Sequence, residues 1–171
     1  MAKYTTPVIA GKNLLTVPLA QNSYAIPTVL QTILSYESVR TYKNSDASDP
    51  WKAYYPARWG DLTTLQFGDP IWVQSNAPDQ YVVAGLVVAG HTATLTPGWN
   101  LVGYASFTPN PQEARSVSLA GIAGVARVET RDLLVADAYR LKVVAPGDLM
   151  VAGEAYWILI NTGGGGVWTQ G

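Results

Sequence analysis

The chain writes one pattern twice, and that repetition limits its possible architecture more than any other feature. Gly11, Asn13 and Leu14 recur as Gly98, Asn100 and Leu101, an offset of 87 residues. Arg40, Asp61 and Leu62 recur as Arg127, Asp148 and Leu149 at the same offset. After a two-residue deletion the offset becomes 85, so that Gly68-Asp69-Pro70-Ile71-Trp72-Val73 lies over Gly153-Glu154-Ala155-Tyr156-Trp157-Ile158, and Asn76 over Asn161. Agreement of this order with one small shift points to two copies of one module, residues 1–88 and 89–171, the second carrying a Gly-rich C-terminal arm.

Each copy reads alike. A turn with Gly leads into an apolar strand, NLLTVPL (13–19) or NLVGYASF (100–107), in residue types that suit a pleated surface. A Pro-flagged helix is expected over 26–39, where Val29, Leu30, Ile33 and Leu34 share a face, and a weaker one over 109–125, interrupted by Gly121 and Gly124. Two or three strands follow, VRTYK (39–43) and WKAYY (51–55) in copy one, ARVET (126–130) and AYRLKVV (138–144) in copy two. Last comes a strand entered through Gly and an acid, GDPIWVQSN (68–76) or GEAYWILIN (153–161). In the second of these both alternate sets are apolar, as in a central strand covered on both faces. YVVAGLVVAGHTATL (81–95) is too apolar for a free linker and reads as strand crossing between the copies. The expected fold is mostly β (α+β): two tandem pseudo-symmetric repeats, each with one short helix, sharing one core as a barrel or a sandwich.

The chain's 171 residues suffice for one domain or two small ones. With 11 Lys+Arg against 12 Asp+Glu and no basic cluster, counterion release cannot drive binding to nucleic acid, which is excluded as a partner. The longest apolar stretch, 81–90, is too short to cross a bilayer as a helix, so no membrane span is expected. The opening MAKYTTPVIAGKN lacks the apolar core of a signal peptide. With no cysteine, disulfides and thiolate metal sites are absent.

An enzyme needs polar groups that converge on a reacting atom. The single histidine, His91, sits beside Gly90 and reads as a turn residue, and there is no thiol and no Gly-x-Ser-x-Gly elbow. The repeated acids, Asp61 with Asp148 and Asp69 with Glu154, each precede a strand and read as acceptors for turn N–H groups, an acid–base pair being the alternative. NSDASDP (44–50), with Asp46 and Asp49, reads as a polar loop in preference to a calcium site. The four glycines at 163–166 lack the Lys and Ser/Thr of a phosphate-binding loop and read as a hinge that carries Trp168 to a groove or a neighbouring subunit. No catalytic residue, metal or cofactor is expected.

The aromatic residues carry the functional reading. Trp51, Tyr54, Tyr55 and Trp59 crowd into DPWKAYYPARWGD (49–61), interleaved with Lys52 and Arg58, in a segment with no close counterpart in copy two. Flat rings beside cations suit a subunit interface, a sugar-stacking platform, or the core itself. LTPGWNLVGY (95–104) and VAGEAYWILIN (151–161) resemble the G-W-N-L-V-G-Y and Y-W-I patterns of tandem repeat modules in prokaryotic surface, S-layer-like proteins. That resemblance covers most of 95–160, and more faintly 8–76. It implies a β-rich structural or adhesive module without catalytic residues. Two departures stand out: no signal peptide is seen, and the usual Pro after Tyr104 is missing. The expectation is a non-enzymatic assembly protein, a homo-oligomer meeting other virion or surface-layer proteins through Trp51, Lys52, Tyr54, Tyr55, Arg58, Trp59 and Trp168. Its expected place is the virion, as a phage decoration, capsid-associated or tail protein. The alternative is a carbohydrate-binding module of a prokaryotic cell surface with a glycan on the same residues.

Overall fold

The computed structural model describes residues 1–107, 111–135 and 138–170. The protein is mostly β. Its first half contains β1 (Ala2–Val8), β2 (Gly11–Thr16), α1 (Ile26–Val29), β3 (Tyr36–Tyr42), β4 (Trp51–Tyr54), β5 (Pro70–Ser75) and β6 (Asp79–Gly85). The second half contains β7 (His91–Leu95), β8 (Gly98–Gly103), β9 (Gln112–Ala114), α2 (Arg115–Ser118), β10 (Ala123–Arg131), β11 (Leu141–Val143), β12 (Leu149–Val151) and β13 (Ala155–Gln170). A sheet in the order β2-β5-β3-β4 dominates the first half, and β11-β10-β13-β7, with β8 also on β13, dominates the second. The pairs β1-β6 and β9-β12 complete the set, and every pairing is antiparallel. Among the described residues no sheet closes into a barrel, and the arrangement is sandwich-like.

The two halves repeat one another atom by atom at key polar positions. Strand β2 pairs with β5 from Gly11↔Ser75 to Thr16↔Pro70, and β8 pairs with β13 from Gly98↔Ile160 to Gly103↔Ala155, reproducing the offsets of 87 and 85. Asn13 lies buried beneath the turn ahead of β2: its Oδ1 accepts from Ile9 N–H at 3.0 Å, and its Nδ2 donates to Ile9 O at 2.8 Å and Gly11 O at 3.1 Å. Asn100 does the same to Thr96 N–H (3.0 Å), Thr96 O (2.7 Å) and Gly98 O (3.1 Å). Thr41 donates to Pro70 O at 2.7 Å, as Thr130 does to Ala155 O at 2.8 Å, both buried.

These pairings revise the sequence alignment in the middle of the repeat. Arg40 lies opposite Trp72 and Glu129 opposite Trp157, so Glu129 takes the place that the alignment gave to Arg127. Leu62 is buried whereas Leu149 is half exposed, so these two are not equivalent. Within the segment 49–61, strand β4 has a counterpart: β4 lies on β3 as Tyr42↔Trp51, and β11 lies on β10 as Arg131↔Leu141. The offset is 89 from β3 to β10 (Arg40 to Glu129) and 90 from β4 to β11 (Trp51 to Leu141), so an alignment held at 87 and then 85 passes over the match.

Helical periodicity over 26–39 is realised for one turn only. Leu30 N–H donates to Ile26 O at 3.0 Å, and a tight turn then brings Ile33 N–H to Leu30 O at 2.8 Å. Ile26, Val29, Leu30 and Ile33 all face the core, while Leu34 is exposed. A one-turn helix and the turn after it thus imitate the i, i+3, i+4, i+7 spacing of a longer helix. A helix this short draws its stability from burial. The expected helix over 109–125 is likewise reduced to Arg115–Ser118, with Leu119 N–H on Arg115 O at 3.0 Å; residues 109 and 110 of that expectation lie outside the described residues.

One apolar cluster fills the first half around Leu15, Ile71, Val73 and Tyr81, and a second fills the other half around Val102, Tyr156, Ile158 and Trp168. Between them Leu14 and Trp72 pack with Leu101, Ala155 and Trp157. Leu14 matches Leu101 and Trp72 matches Trp157 under the two offsets, so the joint is built from the same positions on both sides. A reciprocal pair of close contacts supports it. The Tyr4 ring lies on Gly153, its hydroxyl donating to Gly153 O at 3.1 Å, and the His91 ring lies on Gly68. A Cβ would meet the Tyr4 ring at 2.2 Å at Gly153 and the His91 ring at 2.4 Å at Gly68, and both glycines have positive φ (92° and 82°). Only glycine satisfies both conditions.

His91 therefore lies on strand β7, in the joint and not in a turn. Its ring meets Phe67 edge-on at 5.3 Å. Burial pushes its pKa below the ordinary histidine range, against a smaller opposing pull from Asp69. The unfolded chain then binds the proton more readily than the folded one, so stability is full above about pH 6.5 and falls as pH drops toward the folded value. Because His91 is the only histidine, thermal denaturation between about pH 7 and pH 5 reads it almost alone. The midpoint is expected to fall on acidification in that range, and His91→Gln to flatten the slope.

The run 81–95 forms two strands, β6 and β7, with Leu86 and Val87 exposed between them. The C-terminal segment does not project. It continues β13 and pairs with β7 from Gly166↔Leu95 to Gln170↔His91.

Candidate functional site

Alternate residues of a strand share a face, and the face of the first sheet turned away from its core forms a groove of about 1010 Å³. Strand β2 contributes Lys12, β5 contributes Trp72 and Gln74, β3 contributes Ser38 and Arg40, and β4 contributes Trp51. One wall is the turn 55–58, closed by the Tyr55↔Arg58 bridge, and another is Tyr139 from the second half. The Arg58 guanidinium lies 4.1 Å from the centre of the Tyr55 ring and the Lys12 ammonium 3.7 Å from that of Tyr139. Arg40 donates to the Tyr55 hydroxyl at 3.4 Å. The site thus offers cations resting on ring faces beside a floor of amide and hydroxyl groups.

The equivalent face of the second sheet carries different chemistry. Trp99 stands where the first half has Lys12, Glu129 where it has Arg40, and Leu159 where it has Gln74. The result is a hollow of about 360 Å³ lined by Tyr42, Trp51, Trp99, Glu129, Leu141 and Trp157. Its rings interlock: Trp157 meets Tyr42 at 5.3 Å, Trp51 at 5.9 Å and Trp99 at 6.1 Å, the first and last edge-on. Trp51 and Trp99 remain 44% and 41% exposed, so this cluster presents apolar ring area at the surface.

The residues expected from sequence divide accordingly. Trp51, Tyr55 and Arg58 come together in the groove. Tyr54 packs on the first core beside Tyr36, their centroids 6.5 Å apart. Lys52 is held by carboxylates, at 2.8 Å from Asp49, 3.1 Å from Asp46 and 3.8 Å from Asp61. Its pKa is raised, first by Asp49 and then by Asp46. The Asp46 carboxyl is held down to about 2, first by the Asp49 N–H and then by Ser48 and Lys52. The cation that this acidic loop faces is thus a lysine of the same chain. Trp59 is 86% exposed and outside both hollows. Trp168 is a correction: it is 1% exposed, stacked on Tyr104 at 5.6 Å, with Nε1–H donating to Ser118 Oγ at 3.2 Å. A ring committed to its own core presents nothing to a neighbour.

Sequence reasoning missed Lys12, Arg40, Tyr139, Trp99 and Trp157 as site residues. The unlike pair Lys12 and Trp99 at matched positions was the available signal, since a repeat that keeps its core diverges where its surfaces differ in use. The repeated acids bond locally: Asp61 accepts from Ala53 N–H at 2.7 Å, Asp148 from Ala145 N–H at 2.8 Å, and Asp69 from Gln66 N–H at 2.9 Å while pairing with Lys43 at 3.1 Å. Glu154 accepts from the Tyr156 hydroxyl at 2.9 Å. Among the described residues no three His, Cys, Asp or Glu side chains gather as metal ligands, and no helix is long and apolar enough to cross a membrane. No protein-family model, curated protein or solved structure matches the chain.

Proposed function

We propose that the chain is a non-enzymatic assembly module, two copies of one β-rich unit (1–88 and 89–171), forming a symmetric oligomer as a virion component: a phage decoration, capsid-associated or tail protein. The observation that carries this reading is the aromatic hollow, in which Trp51, Trp99 and Trp157 interlock and two of the three rings stand exposed. Tryptophan is among the residues most enriched at the energetic centres of protein interfaces. The resemblance to surface-layer repeats and the low share of charged residues, 13%, support the same reading. Its test is light scattering on the native protein across a dilution series, beside a Trp51→Ser/Trp99→Ser variant that keeps its thermal midpoint. A multimer that the variant reduces to monomer is expected; a wild-type monomer at every concentration contradicts the proposal.

A second reading, a carbohydrate-binding module of a prokaryotic cell surface, is favoured by the other surface. There Trp51, Tyr55 and Tyr139 stand beside Lys12, Arg40, Ser38 and Gln74, a combination suited to stacking sugar rings and bonding their hydroxyls.

A further inference from the structure

We infer that the groove over the first sheet binds an acidic oligosaccharide, a chain of sugar rings bearing carboxylate or sulfate groups, with Lys12, Arg40 and Arg58 meeting the charges and Trp51, Tyr55 and Tyr139 the ring faces. This rests on the second reading above and gives it a charge. The groove carries those three cations against one carboxylate, Glu37, in a chain whose formal net charge is -1. Among the described residues none of the three lies within ion-pair distance of a carboxylate, a state shared with Lys3, Arg115 and Arg131 and not with Lys43, Lys52, Arg127 and Lys142. The partners of the groove cations are neutral instead: Tyr139 for Lys12, Tyr55 for both Arg40 and Arg58. A cation resting on a ring, as Lys12 and Arg58 do, or bonded to a neutral hydroxyl, as Arg40 is, keeps an uncompensated charge, and three such charges in one concavity focus a field on an anion.

The scaffold does not impose this lining. The matched positions of the second half hold Trp99 for Lys12, Glu129 for Arg40 and Leu159 for Gln74, on strands of the same register. The cationic character belongs to the first groove alone. Sugar fits better than nucleic acid because three cations supply few phosphate contacts, while Ser38 and Gln74 suit hydroxyl groups.

The experiment is titration of the full chain, followed by tryptophan fluorescence and calorimetry, with a galacturonate hexamer, a sulfated hexasaccharide, neutral cellohexaose and a thymidylate hexamer. One acidic hexasaccharide is expected to bind at least about tenfold more tightly than cellohexaose, with affinity that falls as salt is added. Arg40→Gln/Arg58→Gln is expected to weaken that binding roughly tenfold or more while leaving the thermal midpoint in place, and Lys142→Gln to leave binding unchanged. Equal affinity for cellohexaose overturns the acidic preference and leaves the carbohydrate reading standing. Binding of neither sugar class overturns both, and tighter binding of the thymidylate overturns both in favour of nucleic acid.

Discussion

Trp168→Ala is expected to destabilise the protein by about 3–5 kcal/mol, the cost of emptying a core of one large aromatic ring. Three observations set the size of the effect. The ring is 1% exposed, it stacks on Tyr104 with centroids 5.6 Å apart, and its Nε1–H reaches Ser118 Oγ at 3.2 Å. Removal leaves a cavity in the second core and a buried hydroxyl without its donor. A loss of that size is a large fraction of the roughly 5–15 kcal/mol that holds a domain together. Trp168→Phe keeps most of the volume and forfeits the hydrogen bond, so about 1–3 kcal/mol is expected. Urea unfolding measures both. An alanine variant of wild-type stability that instead dissociates an oligomer would restore the idea of a projecting arm.

The second large effect concerns Asn13 and Asn100. Each is fully buried and closes the turn ahead of a strand, through Ile9 and Gly11 for Asn13 and through Thr96 and Gly98 for Asn100, which also donates to Ile158 O at 3.3 Å. Replacement by Ala removes the partner of one backbone N–H and two carbonyls at Asn13, and of Ile158 O as well at Asn100; at about 0.5–1.5 kcal/mol for each bond, a loss of about 2–4 kcal/mol is expected at either position. Aspartate is expected to be worse than alanine near pH 7, because a carboxylate can take the N–H but not serve the carbonyls, and its charge is buried. Acidification then protonates it and returns a donor, so the Asp variants should recover stability relative to wild type as pH falls. The same ranking at both sites is the expected result, read from urea midpoints. Tolerance of Ala at one site and not the other would break the equivalence of the halves.

These asparagines also show what could be read from sequence. Gly-x-Asn-Leu was visible twice, and the strand registers follow its offsets of 87 and 85. What the Asn does was not visible, since its bonds run to backbone atoms of the preceding turn. Helix length was misjudged because Ile26, Val29, Leu30 and Ile33 keep helical spacing through a turn that is not helical. The glycine run at 163–166 suggested a hinge, yet Gly165, at φ 117° and pressed against Leu95 O, passes the strand from one neighbour to the next. Of the site, the contiguous part at 51–58 was legible. Lys12, Arg40 and Tyr139 arrive from three other elements, and only the tertiary fold brings them to the same groove.

The most direct test of assembly through the aromatic face is hydroxyl-radical footprinting of the native protein as its concentration is raised. Trp51 and Trp99 are expected to become protected together as the oligomer forms, while Trp168 and Trp72 are unreactive throughout. Unchanged reactivity of Trp51 and Trp99 in a proven oligomer would place the interface elsewhere and contradict assembly through this face.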